Sequence, residues 1–354
     1  MANGLAGAVR DELRFFVQAA RYFAARLLRG LGIPRDDSRT DAYRHERMAS
    51  FSVVVFEDTN ICNANCVFCG YQYQERPQGI QSFEEFRVAA DLFRARGRAV
   101  IANFTPAVGD PLVDHEITRK IRYCKEVGFE RVWLTTNLIG LKSVGELLES
   151  GVDLITISMP EPQRESYLEI YRSPKFDLFF RNLDQLLSEN QRRGFPVRVG
   201  LALRCPYGAL RVLLRNAALR RLVGQLKFGL WDISVETRFD DWGGRITTEN
   251  LPPGMSIRPN PEKAVPCFML RFPGVTWDNK LVVCPCRDLN ADSTLVVGRV
   301  EGTDPAQLVA LEERASQITD RWKSGELPDI CQNCRQYRPA TTSRQGGRTS
   351  HPGR

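Results

Sequence analysis

Short apolar stretches alternate with longer amphipathic ones along most of the chain. The apolar stretches are typical of buried strands and predict six strands, at 51–57, 99–104, 131–136, 153–158, 197–204 and 229–236. Between them, apolar residues at helical spacing predict helices at 82–96, 113–127, 141–149, 164–193 and 208–225. Strands that alternate with helices are typical of parallel βα units. We therefore predict an α/β fold in which residues 51–240 form a partial (β/α)6 TIM-like barrel.

The N-terminal 50 residues predict an amphipathic helix followed by a polar linker. Apolar side chains recur at helical spacing among arginines over residues 8–31, whereas residues 32–50 are polar and charged. A basic amphipathic helix of this kind can lie on a membrane surface or on a partner protein. It can also cap the bottom of the barrel, and we expect this more ordinary arrangement.

Beyond the sixth predicted strand the sequence changes character. Residues 241–262 predict a linker, and residues 263–338 predict a small cysteine-rich α+β domain. Within this domain, Cys267 to Arg287 predicts a hairpin that turns near Trp277-Asp278-Asn279-Lys280, and a helix is predicted near 305–322. The tail, residues 339–354, is rich in Arg, Gly, Ser and Thr, and we expect it to be disordered.

The charge distribution argues against a nucleic-acid partner. The 354-residue chain has a formal net charge of +7, to which residues 1–50 contribute +3 and residues 335–354 contribute +5. The body between them therefore carries −1 and has no net positive field to attract a polyanion. No apolar stretch approaches the ~18–20 residues of a membrane span, and charged residues from Arg10 onward interrupt a signal-peptide pattern. We expect a cytoplasmic protein.

Eight of the ten cysteines fall into two groups, which favours metal binding over disulfides in a reducing compartment. The first group is Cys62, Cys66 and Cys69, spaced Cys-x3-Cys-x2-Cys directly after the first predicted strand. Three thiolates can hold three irons of a 4Fe–4S cluster and leave the fourth iron open to a small molecule. A structural zinc site needs a fourth ligand, and no Cys or His stands nearby to supply it.

This loop resembles that of the radical SAM superfamily. The resemblance rests on the cysteine spacing, on the aromatic Phe68 before the last cysteine and on the position after strand one of a βα barrel. It implies that S-adenosylmethionine (SAM) binds the open iron and is cleaved reductively to methionine and a 5′-deoxyadenosyl radical. That radical would abstract a hydrogen atom from a small-molecule substrate. A flavodoxin- or ferredoxin-type protein would supply the electron.

Other stretches resemble the cofactor-binding segments of that family. Gly109-Asp110-Pro111, after the second strand, is similar to the family's Gly-Gly-Glu-Pro motif with Asp in place of Glu, and an exposed carbonyl and a carboxylate there suit the methionine ammonium group. Thr136 and Asn137 match a Thr-Asn pair near the cofactor. Ser158 and Arg172 stand where the family often places polar contacts to it, although both could be ordinary polar residues at element ends.

The second cysteine group resembles the C-terminal extension of SPASM and twitch-type radical SAM enzymes. The resemblance implies a second, auxiliary 4Fe–4S cluster with Cys267, Cys331 and Cys334 as ligands. The fourth ligand is either Cys284 or Cys286; Asn279 can replace the glycine of the family's Gly-x4-Cys hairpin, which favours Cys284. A zinc ribbon is the alternative for this group.

Four protein ligands would leave the auxiliary cluster coordinatively full, so we expect it to transfer electrons. This favours a two-electron oxidation, or dehydrogenation, of a small polar, sugar- or cyclitol-like molecule. The alternatives are a radical epimerase with Cys286 or Cys205 as hydrogen donor, and a peptide-modifying enzyme. A non-catalytic iron–sulfur protein for electron transfer or redox sensing is a further alternative. Arg204, Glu236 and Arg238 are candidates for holding the substrate, or equally ion-paired rim residues.

Overall fold

The computed structural model describes residues 2–30, 51–291 and 293–340. The predicted linker at 32–50 and all but the first two residues of the predicted tail lie outside them. The N-terminal part of the described chain, up to Glu236, contains six strands and eight helices. The strands are β1 Val53–Phe56, β2 Ile101–Phe104, β3 Arg131–Thr136, β4 Leu154–Met159, β5 Arg198–Arg204 and β6 Ile233–Glu236. The helices are α1 Ala2–Gly30, α2 Phe83–Ala95, α3 Ile117–Glu126, α4 Val144–Leu148, α5 Arg164–Tyr171, α6 Phe176–Arg192, α7 Ala209–Arg215 and α8 Ala217–Gly224.

The C-terminal part contains shorter elements. The strands are β7 Arg238–Phe239, β8 Ser256–Ile257, β9 Gly274–Val275, β10 Lys280–Val282 and β11 Val296–Arg299. Two helices, α9 Ala306–Lys323 and α10 Asp329–Gln332, follow them. The predicted hairpin is present as β9 and β10, and Asn279 adopts the left-handed conformation that glycine favours, with φ +62°.

Strands β1 to β6 are parallel and lie in chain order, which confirms the predicted βα architecture. On the other side of β1, the sheet continues through β9, β10 and β11, with β9 parallel to β1 and the hairpin antiparallel. The sheet therefore has nine strands, with β6 and β11 at its edges. Because β1 leads directly into Cys62, Cys66 and Cys69, this pairing brings the C-terminal hairpin beside the first cysteine loop.

Several predicted element bounds differ from those observed. The predicted helix at 164–193 is two helices, because Arg172 ends α5 with φ +48° and Pro174 disfavours helical backbone before it. The predicted helix at 208–225 is also two, since the Asn216 side chain caps α8 by accepting from the Leu219 amide at 2.9 Å. The sixth strand begins only at Ile233, after a 3-10 turn over Gly229–Asp232.

The two faces of the parallel sheet differ in chemistry. On β4, Ile155, Ile157 and Met159 are buried in the main core, whereas the alternating residues are only half-buried. Near the N-terminal ends of the strands, this second face is closed by a small apolar cluster of Val53, Ile101, Trp133, Phe268 and Phe272. Toward the C-terminal ends it is polar. We call this half-buried face the inner face of the sheet.

Helix α1 packs against α8 and the turn before β6, at the N-terminal ends of β5 and β6. Phe15 and Ala19 are buried there, and the Gln18 side chain donates to the Leu226 carbonyl at 3.2 Å. The Tyr22 and Trp231 rings meet edge to face, 4.8 Å between centroids. The expected capping of the barrel bottom is confirmed. None of the described helices has a segment apolar and long enough to cross a bilayer.

Gly224 is required where α1 crosses α8, because a Cβ at this position would lie 2.0 Å from the Asp11 carbonyl oxygen. We expect Gly224→Ala to lower the free energy of unfolding by about 2 kcal/mol, since overpacking forces the backbones apart. Denaturant titration and limited proteolysis of α1 would measure this. Gly145→Ala is the matched control, because a Cβ at Gly145, also in a helix, makes only ordinary contacts. Equal behaviour of the two variants would contradict the packing argument.

Candidate active site

The first cysteine loop leaves β1 and is held by backbone hydrogen bonds along its length. The Val67 amide donates to the Ile170 carbonyl at 2.9 Å, and the Cys69 amide donates to the Cys66 carbonyl at 3.0 Å. Asn60 anchors the start of the loop, because its side-chain oxygen accepts from the Gly79 amide at 2.9 Å. The positions of the three thiols are therefore fixed by the protein backbone.

The three thiols of this loop are close neighbours in a buried environment. Burial is the main cause of the raised pKa of Cys66, and the thiols of Cys69 and Cys62 raise it further. Burial likewise raises the pKa of Cys62 and of Cys69. A buried thiolate group needs positive charge beside it, which a metal cluster supplies. The donor set therefore fits an iron–sulfur cluster.

The described residues contain no group of three His, Cys, Asp or Glu side chains that converges on a single point, as the ligands of one metal ion would. A four-iron cluster is held differently, because each of its thiolate ligands binds a different iron. The amide of Tyr71 also approaches the Cys69 sulfur at 3.5 Å, and hydrogen bonds to the sulfurs are one way in which proteins adjust such clusters.

Phe68 connects this loop to the segment that follows the sixth strand. Its ring stacks on that of Phe239, 4.9 Å between centroids, and meets Tyr171 edge to face at 5.9 Å. Its carbonyl accepts from the Trp242 indole N–H at 3.0 Å. The cofactor-binding role of Phe68 stays a prediction. Its contacts with Phe239, Tyr171 and Trp242 hold the first cysteine loop in place.

Gly109 and Asp110 form a turn directly against the cysteine loop. Gly109 has φ +104°, and a Cβ there would lie 2.5 Å from the Thr59 carbonyl oxygen, so only glycine fits. The Asp110 amide donates to the Ile61 carbonyl at 2.9 Å, and Pro111 starts a 3-10 turn. The sequence resemblance thus identified two segments, far apart in the chain, that the structure places in contact.

The Asp110 carboxylate is buried and occupied by donors from the end of β3. It accepts from the Asn137 amide at 2.6 Å and from the Thr136 hydroxyl at 2.9 Å. It also accepts from the Leu112 amide at 3.0 Å. Burial raises the pKa of Asp110 to about 6, although these donors lower it. This carboxylate therefore joins the turn to β3, and the predicted contact of the turn with the methionine ammonium group stays a prediction.

Asn137 extends the same network to the first cysteine. Its side-chain amide donates to the Asn63 side-chain oxygen at 2.8 Å and to the Cys62 sulfur at 3.6 Å. Its own side-chain oxygen accepts from the Ile139 amide at 2.9 Å, which fixes the orientation of the group. The predicted Thr136–Asn137 pair therefore lies at the cysteine loop.

Three further predicted residues lie in different surroundings. The Ser158 hydroxyl is 2.8 Å from the Tyr171 hydroxyl, beside Phe68 and Cys66. Arg172 donates to the Gln72 side chain at 3.2 Å, so it contacts the turn just after the cysteine loop. Cys205 is fully buried, and its thiol donates to the Tyr207 carbonyl at 3.2 Å.

A row of polar side chains lies on the inner face, and of its members only Ser158 was predicted from the sequence. The Thr105 hydroxyl lies 2.7 Å from the Asn103 side-chain oxygen and 2.8 Å from the Thr135 hydroxyl. Thr156 and Ser158 continue the row on β4, and all five residues are half-buried. The sequence does contain the pattern that predicts this row. Polar residues occupy alternate positions near the ends of strands two to four, and the other face of these strands is apolar.

Arg204 and Glu236 close the row at the ends of β5 and β6. They form an ion pair with each other, and Glu236 also pairs with Arg258 at 3.2 Å. The Arg204 guanidinium lies 5.9 Å from the centre of the Phe68 ring, and its positive charge lowers the pKa of both Cys66 and Cys69. Its buried Nε has no hydrogen-bond partner among the described residues. Arg204 therefore has a donor free beside the cysteine loop.

The second cysteine group gathers in the C-terminal part from three segments. Cys267 precedes a 3-10 turn, Cys284 and Cys286 follow β10, and Cys331 and Cys334 lie in and after α10. Burial raises the pKa of Cys331 to about 12, and the neighbouring thiols of Cys334, Cys267 and Cys286 raise it further. This donor set also fits an iron–sulfur cluster.

Cys286 is the thiol within reach of all three expected ligands. Burial raises the pKa of Cys267, Cys331 and Cys334, and the neighbouring Cys286 thiol raises each of them further. A hydrogen bond from the Cys284 thiol is the main cause that lowers the pKa of Cys286 to about 7. Cys284 itself is buried in the main core. These electrostatic contacts place Cys286 near Cys267, Cys331 and Cys334, whereas the sequence favoured Cys284, so the identity of the fourth ligand stays a prediction.

Trp242 and Arg287 join the two cysteine groups. The Trp242 indole, which donates to Phe68, packs so tightly on Gly70 that a Cβ there would lie 2.5 Å from the ring. The Arg287 guanidinium lies 4.2 Å from the centre of the same indole, and its Nε is 3.3 Å from the Asp240 carboxylate. Both side chains line a pocket of about 260 Å³ that Cys334 also borders. We call this contact the Trp242–Arg287 bridge.

The fold and this site define a partial-barrel protein with one group of partly buried thiols after its first strand and a second group in its C-terminal part. Residues 56–201 match the family profile described as "Radical SAM superfamily". This segment therefore has the sequence of a radical SAM domain, in agreement with the resemblance of the first cysteine loop.

Two solved structures share the fold of the chain. The structure of BtrN in complex with AdoMet and 2-DOIA superposes with a TM-score of 0.54 at 16% identity, covering 83% of this chain and 96% of that one. Native anSMEcpe with bound AdoMet and the Kp18Cys peptide superposes with a TM-score of 0.50 at 13% identity, covering 77% and 83%. Both likenesses extend well beyond the matched family region and so include the C-terminal part.

Among curated proteins, the chain is similar to the "Probable GTP 3',8-cyclase" of Sulfurisphaera tokodaii. The two are 25% identical over 146 residues, which is 41% of this chain and 45% of that protein. The match therefore spans less than half of the relative's length. "Uncharacterized protein MJ0804" of Methanocaldococcus jannaschii is 31% identical over 131 residues, 36% of this chain and 41% of that protein.

Proposed function

We propose that this radical SAM enzyme oxidises a small polar molecule, of the sugar or cyclitol type, by two electrons. The observation that carries the proposal is the half-buried polar row of the inner face, which ends beside the thiols of Cys62, Cys66 and Cys69. A polyhydroxylated substrate needs hydrogen-bonding groups in its binding site, and the side chains of Asn103, Thr105 and Thr135 provide them.

The cysteines of the first loop would hold the 4Fe–4S cluster. The segments proposed to hold SAM beside it are Phe68, Gly109, Asp110, Pro111, Thr136, Asn137, Ser158 and Arg172. When bound, the cluster and SAM supply a 5′-deoxyadenosyl radical that takes a hydrogen atom from the substrate. The protein's own contribution is to fix positions: Asp110 ties the turn to β3, and Asn137 ties β3 to Cys62.

The second set, Cys267, Cys286, Cys331 and Cys334, would hold the auxiliary 4Fe–4S cluster as acceptor for the second electron. An oxidation is favoured over an epimerisation because, within the described residues, neither Cys205 nor Cys286 presents a free thiol on the inner face as hydrogen donor. Cys205 is fully buried and bonded to the Tyr207 carbonyl, and Cys286 lies among the other four cysteines. The predicted hydrogen-donor roles therefore gain no support from the geometry.

A nucleotide substrate is the second candidate, because curated relatives bear the name GTP 3',8-cyclase. Triphosphate recognition generally uses several cationic side chains. At the carboxyl end of the inner face, Arg204 is already paired with Glu236. This arrangement favours a polar substrate without phosphate groups over a nucleotide.

The test is to measure 5′-deoxyadenosine after anaerobic reconstitution, with SAM and dithionite, in the presence of cyclitols, amino sugars, GTP or peptides. We expect a cyclitol or amino sugar to stimulate its formation and to appear as a product two hydrogens lighter. Turnover that depends on GTP or on a peptide would overturn the substrate assignment. The proposed partners are this small molecule and a flavodoxin- or ferredoxin-type donor, and the proposed compartment is the cytoplasm, where reducing conditions suit both clusters.

The ligand choice in the second group is testable by iron content. We expect Cys286→Ala to lower the iron of the reconstituted protein from about eight to about four per chain, since one cluster is lost. Cys284→Ala should keep about eight, because Cys286 also influences Cys331 and Cys334, whereas Cys284 is influenced by Cys286 and Cys267. Iron analysis and electron paramagnetic resonance would measure both variants. Loss of iron in Cys284→Ala alone would instead identify Cys284 as the fourth ligand, as the sequence favoured.

A further inference from the structure

Helix α1 has two apolar faces, and the part of the chain that the structure describes covers one of them. Phe15 and Ala19 face the barrel and are buried. On the opposite side, five apolar side chains follow one another along the helix and are between 50% and 62% exposed. They are Val9, Leu13, Phe16, Val17 and Phe23. We call them the outer stripe. Contiguous exposed apolar side chains of this kind mark an interaction surface.

The charges of α1 are divided between the same two faces. The Asp11 carboxylate is buried and accepts from the Gln225 side chain at 3.1 Å, and Glu12 pairs with Arg220 at 3.3 Å. Both acids are therefore engaged with the barrel. Arg10 and Arg21 are exposed, and their spacing of about three turns places them on the same flank of the outer stripe. The side of α1 that faces away from the protein is apolar and cationic.

We propose that the outer stripe of α1 docks on the surface of an anionic lipid bilayer. The apolar side chains would enter the boundary between headgroups and acyl chains, and the arginines would meet lipid phosphates. A second copy of the chain is the less suitable occupant. Five half-exposed side chains of roughly 100 Å² each would bury about 1,000 Å² in a symmetric pair, below the ~1,200 Å² of stable interfaces.

The position of α1 decides how the docked protein is oriented. The helix lies at the N-terminal ends of β5 and β6, where Arg14 stacks on Phe195 at 4.8 Å and Tyr22 meets Trp231. The cysteine loop and the polar row lie at the carboxyl ends of the strands. Docking through α1 therefore leaves the candidate active site on the side away from the bilayer. This inference does not depend on the proposed reaction.

Co-sedimentation of the full-length reconstituted protein with vesicles tests the proposal. We expect binding to vesicles that contain phosphatidylglycerol and little binding to vesicles of phosphatidylcholine alone. The double variant Leu13→Asp/Phe16→Asp should lower the partition coefficient by more than about tenfold, because it places carboxylates on the outer stripe. The control is Leu168→Asp/Val309→Asp, which adds the same charges at exposed apolar positions of α5 and α9 and should bind like the unaltered protein.

The double variant Arg10→Gln/Arg21→Gln, which leaves the apolar side chains in place, tests the electrostatic part. It should lower binding to anionic vesicles by about fivefold for each arginine, and added salt should act in the same direction. Thermal melts would establish that each variant folds. Binding to neither vesicle, or equal binding to both, would overturn the proposal. So would a dimer in sedimentation analysis that the outer-stripe variant dissociates, which would assign the surface to a second copy.

Discussion

Replacing Cys66 by alanine should abolish the formation of 5′-deoxyadenosine from SAM, a loss of at least about a thousandfold. Cys66 is the central cysteine of the first loop, and its thiol lies next to those of Cys62 and Cys69. Two remaining cysteines cannot hold a cluster that the loop binds through three. We expect the iron content to fall from about eight to about four per chain, with the auxiliary cluster retained. Anaerobic reconstitution, iron analysis and chromatography of the nucleoside would measure this.

Cys124→Ala is the matched control for this variant. Cys124 is buried in α3, outside both cysteine groups, and its removal leaves only a small cavity. The control should keep the full iron content and the full rate of SAM cleavage. Retained cleavage in Cys66→Ala would contradict the assignment of the first cluster. Loss of all iron in this variant would show instead that the auxiliary cluster depends on the first.

Asp110→Asn should lower the free energy of unfolding by about 2–4 kcal/mol and weaken SAM binding at the same time. The carboxylate accepts from the Asn137 amide, the Thr136 hydroxyl and the Leu112 amide, all in a buried site. The variant's amide group would turn an N–H toward one of these donors and leave it unsatisfied. Denaturant titration would measure stability, and equilibrium binding of SAM to the reconstituted protein would measure affinity.

The exposed ion pair between Asp177 and Arg164 provides the control for Asp110→Asn. Both side chains are more than half exposed, so Asp177→Asn should change stability by less than about 0.5 kcal/mol. It should also leave SAM binding unchanged, because Asp177 lies on the surface in the first turn of α6. An effect of Asp110→Asn no larger than that of Asp177→Asn would show that the network between the turn, β3 and Cys62 is not required.

Much of the sheet could be predicted because each parallel strand is buried on at least one face and so carries an apolar signal. The division of the predicted helix at Arg172 was harder to predict. Nothing in the sequence marks an arginine that adopts a left-handed conformation, and only the nearby Pro174 indicated a helix end. The pairing of β9 with β1 could not be predicted. Two residues, Gly274 and Val275, form that strand, and its partner is about 220 positions earlier in the chain.

The candidate site shows the same division. Cys62, Cys66 and Cys69 were evident from local spacing, and the turn at Gly109 from its likeness to a family motif. The contacts that hold these parts together were not evident, because hydrogen bonds such as that from Asn137 to Cys62 join residues brought close only by the fold. The Trp242–Arg287 bridge is the clearest case, since neither residue belongs to a motif.

The pairing of β9 with β1 has a consequence for biosynthesis. During translation, β1 and its cysteine loop leave the ribosome first, and the strand that covers the free edge of β1 follows only after more than half of the chain has been made. Until then β1 is an edge strand, and Trp242 and Arg287 are not yet in place over Gly70. The nascent chain therefore has an interval in which its first loop lacks the cover of Trp242 and Arg287. Completion of the C-terminal hairpin ends that interval.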